Sequence, residues 1–158
     1  MPDYSSNHGH IMVALQELVL SLQPADCHDT EVAIRPSWLF NGEPMRGISI
    51  YDLGEQYHEG TIGTQDIGYR CGIVFAQKDD MDATLDSDQL IAWRELVRRR
   101  CTDQRLNVTI PGATDPAEHV MIVSRSGEGL TNPKKYPNWA ISRVVVSVWL
   151  REVNPAIP

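Results

Sequence analysis

The sequence predicts an α+β fold, an antiparallel β-sheet with an N-terminal helix and a second helix packed on it. Three observations lead there: a helical apolar stripe near the start, a strand alternation followed by a capped helical stripe in the middle, and a second long alternation near the end. No regular crossover helices separate the strands, so antiparallel pairing is expected, with the helices segregated to one face. The chain, residues 1–158, forms one predicted domain.

The first helix is predicted over residues 10–22, where apolar side chains recur at helical spacing and Pro24 lies just beyond the end. A strand follows around Pro36. Because proline cannot donate to a strand ladder, Pro36 indicates an edge strand or a bulge. A turn at residues 41–42 then predicts that a short strand over residues 47–51 pairs back as a hairpin.

The middle of the chain, residues 66–100, changes from strand to helix spacing across an acidic linker. Apolar residues alternate with small or polar ones over 67–75, which predicts a half-buried antiparallel strand. The helix after the linker carries Trp93 on the stripe that is expected to face the sheet. Before the strand, residues 54–65 contain three glycines and little periodicity, which favours a long mobile loop.

The last third predicts short strands at residues 108–110 and 120–123, an extended loop over 124–138 and a long strand over 139–153. The long strand alternates a nearly pure apolar face with a mixed face. We therefore expect it to lie centrally in the sheet.

The amino-acid composition and net charge disfavour several classes of function. The net charge of −7 disfavours an electrostatic nucleic-acid binder, because such proteins neutralise phosphates with clustered Lys and Arg. Three cysteines without a CxxC pair favour a reducing compartment, and the N-terminus lacks the basic segment of a signal peptide. No apolar run approaches the roughly 20 residues that span a bilayer, so no membrane contact is expected.

Candidate chemistry is sparse. The histidines and cysteine that suggest a metal site do not match a standard ligand spacing, and surface histidines are the simpler interpretation; they are His8, His10, Cys27 and His28. There is no GxSxG motif, and Cys71 lies on an apolar strand face, where a thiol is usually inert. The three arginines before Cys101 favour its thiolate, but the C-terminal end of the helix, where Cys101 lies, disfavours one. We predict no catalytic residues, no cofactor, and no metal requirement for folding.

Two charged groups are candidates for contacts. The positive charges on the second helix suit phosphate or a neighbouring subunit's carboxylates, although matching of the helix dipole explains them as well; they are Arg94, Arg98, Arg99 and Arg100. The acidic linker lacks the glycine and glutamate of an EF-hand, and a solvated linker is its simpler interpretation; its candidates are Asp79, Asp80, Asp82 and Asp86.

The aromatic residues indicate a partner surface. Trp149 lies on the mixed face of the last strand beside Val145, flanked by Arg143 and Arg151. Aromatic residues and arginine are enriched in protein interfaces. The long loop adds further candidate contact residues, which are Lys134, Lys135 and Tyr136.

Three segments carry a resemblance to a known family: HIMVALQELVLSL, then DIGYRCGIVFAQ followed by DSDQLIAWRELVRRR, and finally WAISRVVVSVWLRE. In type and order they resemble the tail terminator and related neck proteins of tailed bacteriophages. The resemblance implies a structural virion protein that forms a hexameric ring, caps the tail tube and joins it to the neck proteins, with DNA passing through. It implies no catalytic residues. In such a ring the acidic linker is expected to line the channel, where negative charge keeps DNA from sticking.

Two alternatives stay open. A head-closure or stopper neck protein shares this size and ring arrangement. A small cytoplasmic enzyme or ligand-binding domain, from a different class, would need a pocket between the sheet and the loops at 54–65 and 124–138.

Overall fold

A computed structural model of the protein describes residues 6–36, 46–58, 63–78, 87–110, 119–123, 128–129 and 139–153. Among these residues, two α-helices and seven strands follow one another in an α+β fold, which confirms the predicted class. In chain order they are α1 (Asn7–Ser21), β1 (Glu31–Ile34), β2 (Arg46–His58), β3 (Thr64–Lys78), α2 (Ser87–Cys101), β4 (Arg105–Leu106), β5 (His119–Val123), β6 (Glu128–Gly129) and β7 (Trp139–Val153).

The strands form one sheet in the order β1-β2-β3-β7-β5-β4, with β6 also paired to β7. β7 lies between β3 and β5, so its predicted central position is confirmed. The β3 and β7 ladder is continuous from Thr64↔Val153 to Lys78↔Trp139. These two long strands therefore form the centre of the sheet.

The predicted hairpin between the first two strands is wrong. β1 pairs with β2 in parallel, from Glu31↔Gly47 to Ile34↔Ile50, and every other strand pair among the described residues is antiparallel. Parallel pairing needs a connection that returns the chain to the starting end, whereas a tight turn suffices for a hairpin. Of the two alternatives that Pro36 raised, an edge strand or a bulge, the edge strand is observed, since β1 ends the strand order among the described residues. The predicted turn at residues 41–42 lies outside the described residues.

Two further predictions are corrected. Most of the described part of 54–65 is strand rather than loop, because β2 extends to His58 and β3 begins at Thr64. The register shifts between Asp52 and Glu55, and Gly54 absorbs the extra residue with a φ of 87°. Residues 108–110 are not a strand; the short strand lies earlier, at β4.

α1 begins at Asn7, earlier than predicted, because Ser6 caps it by accepting a hydrogen bond from the Gly9 N–H at 3.0 Å. His8 is thereby placed in the first turn, where it is buried. The interpretation of His8 as a surface histidine is wrong.

Both helices cover the same face of the sheet, called here the inner face, as predicted. Leu15 and Val19 of α1 share one buried core with Trp93 and Val97 of α2. The core also contains the inner-face residues of β3 and β7, which include Ile67, Cys71, Ile73, Phe75, Val144, Val146, Val148 and Leu150. The indole N–H of Trp93 donates to the Val19 carbonyl at 3.0 Å and so joins the two helices.

The prediction that β3 is only half-buried is wrong. On the opposite face, called the outer face, Val74 and Ala76 are fully buried in a second cluster with Tyr51 and Ile141. The Tyr51 ring lies over Gly72, where an added Cβ would come within 2.5 Å of the ring. The small residues of β3 therefore accommodate side chains from neighbouring strands.

Within the described residues, neither helix combines the length and apolar content that crossing a bilayer would require.

Candidate functional site

An exposed apolar strip lies on the outer face where β3, β7 and β5 run side by side. The register places Trp149 between Gly68 of β3 and Val120 of β5, and the next outer-face position of β5 is Ile122. Val120 and Ile122 are 40% and 45% exposed, and Trp149 is partly exposed. These three side chains, Trp149, Val120 and Ile122, are called the outer-face patch.

Trp149 is held flat against the sheet by its neighbours. Its indole lies over Gly68, where an added Cβ would come within 2.6 Å of the ring. On the far side of β3, His58 stacks on the indole with ring centroids 4.7 Å apart and an interplanar angle of 25°. The ring is therefore pre-positioned, which lowers the entropy lost when such a side chain is buried by a partner.

Two arginines of β7 lie on the same face as the patch. Arg151 donates to the Asp66 carboxylate at 2.8 Å, and this bond holds the pKa of Asp66 below its ordinary value. Arg143 donates to the Tyr51 hydroxyl at 3.0 Å. The combination of aromatic and aliphatic side chains with arginines is typical of interface composition.

The structure brings together only part of the predicted contact set. Trp149, Arg143 and Arg151 share the outer face, as their alternation predicts. Val145 shares that face but is only 9% exposed, so it packs within the chain instead of offering surface. The loop candidates Lys134, Lys135 and Tyr136 lie outside the described residues and stay a prediction.

Sequence reasoning missed Val120 and Ile122. The apolar run of residues 120–123 could have identified these two residues, since a strand that is apolar on both faces is expected to be covered on both faces. Met121 is fully buried on the inner face, which leaves the apolar outer positions unexplained by the core.

The α2 arginines do not join the outer-face patch, because α2 covers the inner face. Arg98, Arg99 and Arg100 are exposed in the last turn, and Arg94 is partly exposed. Arg99 forms a 3.5 Å ion pair with Glu95 one helical turn away, which is worth little at an exposed site. Arg100 borders an open groove of about 240 Å³, whose other lining residues include Glu17, Leu18, Ser21 and Asn107. The acidic candidates Asp79, Asp80, Asp82 and Asp86 lie outside the described residues.

A cluster of polar side chains, separate from the outer-face patch, lies where α1 meets β2 and β3. The His8 Nε2 atom is 3.2 Å from Cys71 Sγ, and its Nδ1 atom is 3.3 Å from Asp52 Oδ1. Nε2 also lies 3.0 Å from the Arg70 carbonyl oxygen. In connectivity this resembles a nucleophile, base and carboxylate arrangement.

Three observations argue against nucleophilic catalysis in this cluster. Cys71 is fully buried, and burial followed by the nearby Asp52 charge raises its thiol pKa far above the ordinary value. The Arg70 carbonyl can only accept, so a hydrogen bond from Nε2 to this carbonyl competes with Nε2 taking a proton from Cys71. The cluster is better explained as a polar anchor for the first turn of α1.

The same cluster does not form a metal site. Asp52 and Cys71 lie at opposite nitrogens of the His8 ring and so do not converge on one point. Across the described ranges, no group of three or more His, Cys, Asp or Glu side chains is placed to hold a metal ion.

The three cysteines are expected to resist thiol reagents in the folded protein. All are free and fully buried, and burial raises the pKa of Cys101 to about 12 and the pKa of Cys27 above its ordinary value. Because the thiolate is the reactive form, labelling with Ellman's reagent at pH 8 should be slow, with all three reacting after denaturation. Rapid native labelling of Cys71 would contradict the polar-anchor interpretation.

Comparison with models of known protein families gives no match, and comparison with characterised protein sequences gives no significant match. Interpretation of the site therefore depends on its geometry. The outer-face patch can bury apolar surface against a partner, and Arg151, the next outer-face residue after Trp149 on β7, can add a polar contact.

Proposed function

We propose that this chain is a structural protein of a tailed-bacteriophage virion, similar to the tail terminators. Copies of it form a closed ring, most simply a hexamer, that caps the tail tube and joins it to the neck, with DNA passing through. The chain contacts itself and the neighbouring tube and neck proteins and carries out no catalysis.

The observation that carries the proposal is the outer-face patch. The buried core on the inner face accounts for the stability of the single chain, while Val120 and Ile122 remain 40% and 45% exposed beside a stacked Trp149. Exposed apolar groups rimmed by polar residues are typical of protein interaction sites. The net charge of −7 supports the channel role, because an acidic protein does not retain passing DNA.

Electron microscopy and particle reconstruction test this proposal. Purified protein at high concentration is expected to give rings of six copies of the 17.7 kDa chain. Reconstruction of a phage particle that contains the chain is expected to place it at the junction of tail tube and neck. Density elsewhere in the particle, or a single isolated copy at the junction, would exclude the terminator role.

A further inference from the structure

We propose that His58 is the positioning residue of the outer-face patch: its ring holds Trp149 flat across Gly68, and a proton on that ring strengthens self-association through the patch. The inference rests on the proposed association of copies through this surface and adds a control of that association by pH. The contacts that carry it all lie within one chain.

His58 and Trp149 meet across the width of β3. In the register, His58 lies opposite Asp66 and Trp149 lies opposite Gly68, so the two rings come from adjacent rows of the outer face. The indole reaches across β3 because Gly68 has no side chain; a Cβ there would lie 2.6 Å from the ring. The two rings stack with centroids 4.7 Å apart and an interplanar angle of 25°. The imidazole therefore limits the orientation of the indole from the β2 side.

A row of three ionisable side chains lies beside this stack, with His58 opposite Asp66 and Asp66 opposite Arg151. The bond from Arg151 is the main cause of the lowered pKa of Asp66, and the His58 charge adds to it. Asp66 therefore stays ionised where histidine ordinarily titrates, between about pH 5 and 8. The other ionisable residues at this end of β2, Glu55 and Tyr57, lie on the inner face and bond to each other.

A proton on His58 strengthens two of its contacts. A cation within about 6 Å of an indole centroid is attracted by the face of the ring. The Asp66 carboxylate adds a second attraction, whereas Arg151 repels the proton from one strand further away. At an exposed site the attraction to the indole favours the stacked ring by about two- to five-fold. Because a fixed indole loses less entropy when a partner buries it, association should be tighter at acid pH and weaken as pH rises.

NMR of the full chain tests the contact between the two rings. The Trp149 indole N–H resonance, identified by its loss in Trp149→Phe, is followed in dilute protein from about pH 8 to about pH 5.5. We expect it to shift with one histidine titration in the parent chain. His58→Phe keeps an aromatic ring without a charge, so the resonance should then stay constant. Equal shifts in both proteins would show that His58 does not act on Trp149 and would overturn the proposal.

Sedimentation velocity over the same pH range tests the effect on association. The parent chain is expected to associate about two- to five-fold more tightly at the acid end. His58→Ala should associate more weakly than the parent at both ends. His58→Phe should recover association at the alkaline end but not its dependence on pH. The inference is wrong if His58→Phe keeps the parental pH dependence, or if His58→Ala associates like the parent chain.

His28→Ala is the matched control, since it also removes one histidine from the chain. His28 is exposed and follows Cys27 of the inner-face core, away from the patch. The pH dependence should remain in this variant; its loss would indicate a general charge effect and overturn the inference. Parental association that does not change with pH overturns this inference alone. Absence of parental association at every pH overturns the proposed ring as well. Circular dichroism melts establish that each variant is folded.

Discussion

Replacing Trp93 with alanine is expected to lower the free energy of unfolding by about 3–5 kcal/mol. Trp93 is fully buried, meets Phe75 edge to face with centroids 6.1 Å apart, and donates to the Val19 carbonyl. The substitution leaves a cavity between both helices and the sheet and removes the hydrogen bond that joins the helices. Urea denaturation followed by circular dichroism measures the change.

Ile91→Ala is the matched control for Trp93→Ala. Ile91 lies on the same helix but is 41% exposed, so its substitution is expected to cost less than about 1 kcal/mol. If Trp93→Ala costs as little as Ile91→Ala, the assignment of Trp93 to the shared core is wrong.

Ile122→Asp is expected to weaken self-association by at least about tenfold while leaving the monomer folded, tenfold being about 1.4 kcal/mol. Ile122 is 45% exposed on the outer face, so a carboxylate there stays hydrated in the single chain. Burying that charge in an apolar contact without a partner is unfavourable. Sedimentation velocity over a concentration series measures the association.

Ile91→Asp introduces the same charge at a similarly exposed position on the helix-covered side. It is expected to associate like the parent chain. Equal weakening by both substitutions would indicate a general effect of charge, and parental association of Ile122→Asp would remove the outer-face patch from the interface.

Local spacing was sufficient to predict the elements that form the core. The helical stripe around Trp93 and the alternation over 67–75 each determine which side chains share a face, and burial of those faces follows directly. The same alternation placed Trp149, Arg143 and Arg151 together on the outer face. These features are local, so the sequence alone determined them.

Strand partners and strand ends were decided by tertiary structure. β1 pairs in parallel with β2, and neither strand's own spacing distinguishes that from a hairpin. Residues 55–58 lack an apolar alternation, yet they are strand because β3 satisfies their backbone hydrogen bonds.

The candidate site likewise has some features that the sequence predicts and others that only the tertiary structure decides. Alternation identified Trp149, but its orientation over Gly68 and against His58 depends on the register of β2, β3 and β7. His8 becomes a buried anchor only when the first turn of α1 meets Asp52 and Cys71, which are distant in sequence. Periodicity determines the face on which a residue lies. Only the packing of strands and helices against one another decides what covers that face, because those contacts join residues that no local pattern relates.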